Sequence, residues 1–101
     1  MLIEFSIVPI GASSSVGTKV AKVLDLVDSS GLAYKLTPMG TIVEGEWDEL
    51  MQLVKECHMK MMKNEKRVLT RIIIDDRKGK TGNIGRKVRS IEKKLGRSLK
   101  K

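Results

Sequence analysis

The chain has 101 residues, of which 41% are hydrophobic and 32% are charged. This length and composition suit one globular domain, residues 1–101, built around one core. No apolar run is long enough to span a membrane. The start of the chain lacks the basic leader and the cleavage site of a signal peptide. The single cysteine, Cys57, cannot form an internal disulfide, so we expect a cytoplasmic protein without a membrane partner.

The charge is divided unevenly along the chain. Residues 1–76 hold 9 Lys/Arg and 11 Asp/Glu, whereas residues 77–101 hold 11 Lys/Arg and one acidic residue, Glu92. The net charge of +8 therefore belongs to a basic C-terminal segment and not to the body of the protein. Such a segment attracts nucleic acid, acidic lipid surfaces and acidic proteins alike, and it is also commonly just solvated.

The first half of the chain predicts a strand, a helix and two further strands. Leu2 to Ile10 alternate in part between apolar and polar residues, which is typical of a strand with one buried face. Apolar residues from Val16 to Val27 follow helical spacing, and Gly31 is the stop signal. The runs 32–38 and 39–44 predict two short strands joined by a tight Pro-Met-Gly turn.

The second half predicts a helix, a strand and a final helix. The helix opens on Trp47 with two acidic residues in its first turn, and its apolar stripe continues to Met61. Residues 68–74 predict a strand. A strongly basic amphipathic helix is predicted at about residues 83–99, with Asn83 as its N-cap.

The order β-α-β-β-α-β followed by a helix predicts an α+β, ferredoxin-like fold. In that fold two helices cover one face of a four-stranded antiparallel sheet, here with an extra C-terminal helix. The second face should carry Glu4, Ser6 and Val8, together with one of the two alternate sets of the last strand. Since neither of these sets is wholly polar, the second face needs a cover. The third helix or a second subunit can supply it, and we favour self-association to a dimer or tetramer.

The stretch from Tyr34 to Asp48 carries the strongest indication of a binding site. It brings a hydroxyl pair, Thr37 and Thr41, near the carboxylate of Glu44 and the sole tryptophan, Trp47. A few polar groups beside an aromatic wall are typical of a small-molecule pocket. The alternative is a hairpin with solvated polar residues and a tryptophan that belongs to the core.

Catalytic and metal-binding patterns fail on geometry. Cys57 and His58 are adjacent, so on a helix they diverge by about 100° and cannot easily share an ion or act as nucleophile and base. Asp75 and Asp76 point to opposite faces if they continue the strand. We therefore predict no metal, no cofactor and no catalytic residue, and we expect a protein that is not an enzyme.

Phosphate and nucleic-acid motifs are incomplete. Gly79-Lys80-Thr81 ends like a phosphate loop, but the earlier glycine of that loop is absent, and Gly82 to Gly85 form a GxxG outside its usual helix-loop-helix context. Only three aromatic residues occur, so no stacking platform for RNA is indicated. A nucleic-acid partner acting through the basic segment is therefore the less favoured alternative.

Several segments together resemble the thiamine-binding (YkoF-like) family of small ferredoxin-like proteins. They are Val8-Pro9-Ile10-Gly11, the stretch Tyr34 to Asp48 with its Pro-Met-Gly-Thr-x-x-Glu-Gly run, and Arg67-Val68 leading to Asp75-Asp76-Arg77. The resemblance implies a βαββαβ domain that assembles through its sheets into dimers and tetramers. It also implies that some members bind thiamine or its hydroxymethylpyrimidine moiety, and it implies no known catalytic activity.

The chemistry of such a ligand suggests roles for the candidate residues. An aminopyrimidine offers a flat face and a polar edge, and thiamine adds a cationic thiazolium. We interpret Glu44 as the charged or edge-reading group, Thr37 and Thr41 as hydroxyl partners, and Trp47 as the wall. The secondary candidates are Tyr34 and His58. For a phosphorylated ligand, the candidate anion-binding residues are Ser13, Ser14 and Arg77.

Overall fold

The computed structural model describes residues 1–11, 16–79 and 84–100. Within these ranges the chain forms four strands and three helices in the order β-α-β-β-α-β-α. The strands are β1 (Leu2–Pro9), β2 (Tyr34–Thr37), β3 (Gly40–Glu44) and β4 (Val68–Asp75). The helices are α1 (Val16–Ser29), α2 (Trp47–Met62) and α3 (Arg86–Leu95).

The four strands form one antiparallel sheet in the order β2-β3-β1-β4. This order places β1 and β3 in the centre and leaves β2 and β4 as the edges. The predicted α+β ferredoxin-like fold is confirmed by this topology, in which the two halves of the chain each contribute a strand, a helix and a strand.

The core lies between one face of the sheet and the helices α1 and α2. We call this the helix face, and it carries Ile3, Phe5 and Ile7 of β1, which are all buried. Successive side chains of a strand alternate between faces, which is why the alternating pattern of β1 predicted its buried residues. The helices and β3 add the remaining buried apolar side chains, which are Val23, Val27, Val43, Leu50, Leu53, Val54, Cys57 and Met61.

The opposite face of the sheet, the open face, carries Glu4, Ser6 and Val8 of β1. Directly paired residues share a face, so the register assigns the partners of these three residues on β4 to the open face as well. Those partners are Ile73, Arg71 and Leu69. The sequence leaves open which set of alternating residues of the last strand lies on the open face. The register shows that it is the set that contains Arg71. Ile73 and Leu69 are 55% and 52% exposed, so the open face is apolar in part and uncovered at these positions.

The third helix is shorter than predicted. It begins at Arg86 and ends at Leu95, because Gly96 takes a left-handed conformation (φ 71°) that stops the helix. The backbone N–H of Leu99 then donates to a Glu92 carboxylate oxygen, so the chain turns back on the helix instead of extending it to residue 99. Asn83, the predicted N-cap, lies outside the described residues. No residue of α3 is buried, including those of its apolar stripe.

Candidate functional site

The candidate site is a groove where β1 runs past the tip of the β2–β3 hairpin. We call it the hairpin groove, and its volume is about 350 Å³. One wall is β1, the second is α1, and the third is the hairpin tip. The lining residues are Phe5, Ser6, Ile7 and Val8 of β1, Val20, Val23 and Leu24 of α1, and residues 36–41 of the hairpin.

The groove exists because the two neighbours of β1 differ in length. The pairing of β1 with β4 continues to Pro9, which lies opposite Val68. The pairing of β1 with β3 stops at Phe5 and Thr41, because the hairpin turns through Pro38 and Met39. Beyond Phe5, the described part of the chain therefore places a strand on only one side of β1, and this leaves a notch in the sheet.

Thr41 is the buried polar residue of the groove. Its side chain is 6% exposed and lies on the helix face, since Thr41 pairs with Phe5. Among the described residues no partner hydrogen-bonds to its hydroxyl, although the residue lines the groove. The Thr41 hydroxyl oxygen is not among the described side-chain atoms that are fully buried without a partner, so it stays accessible from the groove and can accept a hydrogen bond from a ligand or donate one.

Thr37 also lines the groove, but its hydroxyl is occupied by the hairpin turn. It donates to the carbonyl of Gly40 at 2.8 Å and accepts from the N–H groups of Met39 and Gly40 at 3.2 and 3.1 Å. These hydrogen bonds hold the turn that forms one wall. The contribution of Thr37 to the site is thus to fix the shape of the groove.

Glu44 does not share this groove. It lies three residues after Thr41 on the same strand, and an odd separation places two side chains on opposite faces. Its carboxylate accepts the backbone N–H of Ile84 at 3.1 Å, just before α3 begins. Glu44 therefore ties the C-terminal segment to the sheet. Glu44 and Thr41 therefore do not line one cleft, although their spacing in the sequence suggested that they would.

The other three predicted ligand residues also lie away from the groove. Trp47 opens α2, at the end of β3 opposite the hairpin tip, and is 53% exposed, so it is neither a groove wall nor a core residue. The Tyr34 hydroxyl donates to Asp28 at 2.7 Å, and this hydrogen bond raises the pKa of Tyr34. His58 Nδ1 lies 2.6 Å from the hydroxyl of Thr70, between α2 and β4.

The predicted anion-binding residues are not brought together within the described part of the chain. Ser13 and Ser14 lie outside the described residues. Arg77 is exposed and follows the end of β4, where Asp75 pairs with Leu2. That is the end of β1 remote from the groove, so Arg77 is not positioned to bind a phosphate of a ligand held there.

Cys57 is fully buried on α2, and its thiol faces the carbonyl of Val23 at 3.7 Å. Burial, with a smaller contribution from Glu56, raises the pKa of the Cys57 thiol to about 11. A raised pKa leaves little thiolate at neutral pH, and the thiolate is the reactive form. This environment suits a core residue and does not suit a nucleophile.

We predict that Cys57 of the folded protein resists a disulfide reagent such as DTNB at pH 8. Complete reaction is expected once the chain is unfolded in guanidinium chloride, because unfolding restores an ordinary thiol pKa. The absorbance of released thionitrobenzoate measures both rates. Rapid stoichiometric labelling of the native protein would contradict the burial of this side chain.

Neither a metal-binding cluster nor a membrane-spanning helix occurs within residues 1–11, 16–79 and 84–100. No group of three or more His, Cys, Asp or Glu side chains there could hold a metal ion. No helix in these ranges has the length and apolar character needed to cross a membrane.

The chain belongs to a family of thiamine-binding proteins. The family model described as "Thiamine-binding protein" matches residues 3–92. The chain is similar to the UPF0045 protein MJ1052 of Methanocaldococcus jannaschii, with 35% identity over 87% of this chain and 88% of the relative. It is also similar to the UPF0045 protein YqgV of Bacillus subtilis, with 37% identity over 91% of this chain and 94% of the relative.

Solved structures show the same fold. The crystal structure of the hypothetical protein MJ1052 matches with a TM-score of 0.82 and 34% identity, over 89% of this chain and 93% of that one. A Thermotoga maritima protein, TM0486, matches with a TM-score of 0.79 and 27% identity, over 89% of this chain and 96% of that one. The latter is named for a proposed role in thiamine biosynthesis or salvage.

Proposed function

We propose that this protein binds thiamine, or its hydroxymethylpyrimidine moiety, in the hairpin groove and does not transform it chemically. The observation that carries the proposal is the accessible hydroxyl of Thr41, which lines the groove and has no hydrogen-bond partner among the described residues. Membership of the thiamine-binding family supports the class of ligand. The volume of about 350 Å³ is at the small end of ligand pockets, which suits a single six-membered ring better than a larger molecule.

The composition of the lining favours the pyrimidine over the thiazolium as the buried part. None of the lining residues that the structure describes carries a formal charge, and most are apolar. A cation transferred into such a groove loses hydration without gaining a counter-ion, whereas a neutral ring loses little. We therefore expect the pyrimidine to lie inside the groove, with the thiazolium and any phosphate at its mouth.

The same lining argues against catalysis in this groove. General acid–base catalysis needs a titratable side chain within hydrogen-bond reach of the reacting atom. None of the described lining residues has one, and the buried Cys57 and the paired His58 face elsewhere. A binding protein that delivers, buffers or senses its ligand is the role that this chemistry supports.

Self-association through the sheet is part of the proposal. Leu69 and Ile73 are exposed on the open face, and β4 is an eight-residue edge strand with three consecutive isoleucines, residues 72–74, all exposed. Long apolar edge strands are prone to pair with another chain. The apolar stripe of α3 includes Ile91 and Leu95, which are also exposed, so this helix can contribute to the same interface.

The nucleic-acid alternative has one supporting observation. Five of the ten residues of α3 are Lys or Arg, and their side chains are exposed. The body of the protein adds no basic face, because residues 1–76 carry a net charge of −2. Charge on one short helix supports weak, salt-sensitive attraction to any polyanion, and it does not indicate a dedicated nucleic-acid site.

The proposal predicts that thiamine stabilises the protein against heat. A ligand present at a hundred times its dissociation constant adds about 2.7 kcal/mol, which for a domain of this size raises Tm by roughly 10–20 °C. A thermal-shift series should include thiamine, its pyrimidine fragment and its phosphates. The pyrimidine fragment alone should stabilise the protein, whereas the thiazole fragment should not. If none of these ligands changes Tm at millimolar concentration, the proposed function is wrong.

A further inference from the structure

The direction of the peptide groups along β1 follows from two hydrogen bonds at its ends. The carbonyl of Met1 accepts from the N–H of Gly45 at 3.0 Å, toward the β3 side. The N–H of Ile10 donates to the carbonyl of Arg67 at 2.9 Å, toward the β4 side. In a strand the N–H and C=O of one residue point to the same side, and successive residues alternate. The odd-numbered residues of β1 therefore direct their peptide groups toward β3.

Ile7 is the odd-numbered residue that lies beyond the end of β3. Ile3 and Phe5 have partners on β3, and these are Val43 and Thr41. No strand residue in the described part of the chain lies opposite Ile7 on that side, where the hairpin groove begins. The N–H and C=O of Ile7 thus face the groove, one donor beside one acceptor, and the hydroxyl-bearing Thr41 lines the same groove.

We propose that the main-chain N–H and C=O of Ile7, with the Thr41 hydroxyl, recognise the amidine edge of an aminopyrimidine. This inference rests on the proposed function and specifies its chemistry. The ring nitrogen accepts from the Ile7 N–H, and the adjacent exocyclic amino group donates to the Ile7 carbonyl. The ligand edge thereby takes the place that a further β3 residue would occupy in the ladder, as in recognition by addition to a sheet edge.

The length of the free edge selects a small heterocycle over a peptide. An added strand needs several unpaired residues along one edge to form a ladder. The next residue of β1 that points the same way is Pro9, which has no N–H to donate. One donor–acceptor pair is therefore available, and this matches one amidine edge. The apolar side chains of Val20 and Leu24 on α1 supply a surface for the face of the ring.

Recognition by the main chain requires an acceptor on the ligand opposite the Ile7 N–H and a donor opposite the Ile7 carbonyl. In the 4-oxo analogue of thiamine, the amino donor becomes a carbonyl acceptor and the ring nitrogen becomes a donor. The ring N–H then faces the Ile7 N–H, and the ring carbonyl faces the Ile7 carbonyl, so neither pair can form a hydrogen bond. We expect this analogue to bind roughly 10- to 100-fold more weakly than thiamine, because both hydrogen bonds are lost while the groups stay buried.

The direct test is hydrogen exchange of the Ile7 amide in the ¹⁵N-labelled full chain. In the free protein this amide should exchange faster than that of Ser6, whose N–H points to β4 and lies in the ladder opposite Arg71. Saturation with thiamine, or with the aminopyrimidine fragment alone, should slow exchange at Ile7 by about tenfold or more relative to Ser6. The 4-oxo analogue at the same concentration should leave Ile7 unchanged.

The outcomes separate this inference from the proposed function. If thiamine binds but exchange at Ile7 is unaltered, or if the 4-oxo analogue binds equally well, main-chain recognition is overturned and thiamine binding stands. If thiamine does not bind but the aminopyrimidine fragment protects Ile7, the inference stands and the thiamine assignment is wrong. If no aminopyrimidine protects Ile7, the inference is overturned.

Discussion

Under the proposed self-association through the open face, replacing Ile73 by lysine should yield a monomer of 11.3 kDa. Ile73 lies on the open face, opposite Glu4, and is 55% exposed in the isolated chain. An ammonium group at the centre of an apolar interface loses its hydration without a matched partner. Interfaces of obligate oligomers commonly bury more than about 2,000 Å², so loss of the central contact should shift the equilibrium by orders of magnitude.

Met59 provides a matched control for this change. It is 54% exposed but lies on α2, away from the open face. Met59→Lys adds the same charge at a site of equal exposure and should leave the assembly intact. Light scattering coupled to gel filtration measures all three masses. A wild-type mass equal to one chain across micromolar concentrations would show that the open face is not an interface.

Thr37→Val and Thr41→Val should change the stability of the ligand-free protein in opposite directions. Valine at position 37 removes a hydroxyl that makes three hydrogen bonds within the turn, which we expect to cost about 1–3 kcal/mol. Valine at position 41 keeps the shape but removes a hydroxyl that has no hydrogen-bond partner among the described residues, so stability should be unchanged or rise by about 1 kcal/mol.

This contrast separates a structural threonine from a functional one. For a domain of this size, 1 kcal/mol corresponds to roughly 4–8 °C in Tm, so the two variants should differ by at least several degrees. Thr70→Val is a useful third variant, since that hydroxyl pairs with His58 outside the groove. If Thr41→Val loses as much stability as Thr37→Val, the Thr41 hydroxyl has a structural partner and its proposed role is lost.

The fold was predictable because each element has a clear period in the sequence. The alternation of Ile3, Phe5 and Ile7 and the helical spacing from Leu50 to Met61 both correspond to buried faces in the structure. The apolar spacing through Leu99 predicts too long a last helix, because Gly96 ends the helix at Leu95. A glycine after a basic last turn is an ordinary C-cap, and it was the better guide to the boundary.

The site was less predictable, and the reason is geometric. Thr41 and Glu44 are close in sequence, yet the alternation of a strand separates them, and this could have been read from their spacing. The notch beside Ile7 depends on where the hairpin turns relative to the length of β1. That register is a property of strand pairing, and no residue type in β1 signals it. A site that uses peptide groups leaves no side-chain motif to find.

Calorimetric titration of thiamine into the wild type, Thr41→Val and Glu44→Gln shows which face of the sheet binds the ligand. Glutamine at position 44 keeps an oxygen that can accept the N–H of Ile84, so it removes the charge and little else. If thiamine binds in the hairpin groove, the wild type and Glu44→Gln should bind it with equal affinity. Thr41→Val should bind it about tenfold or more weakly. Weak binding by Glu44→Gln with normal binding by Thr41→Val would exclude the hairpin groove as the binding site and place the ligand on the open face.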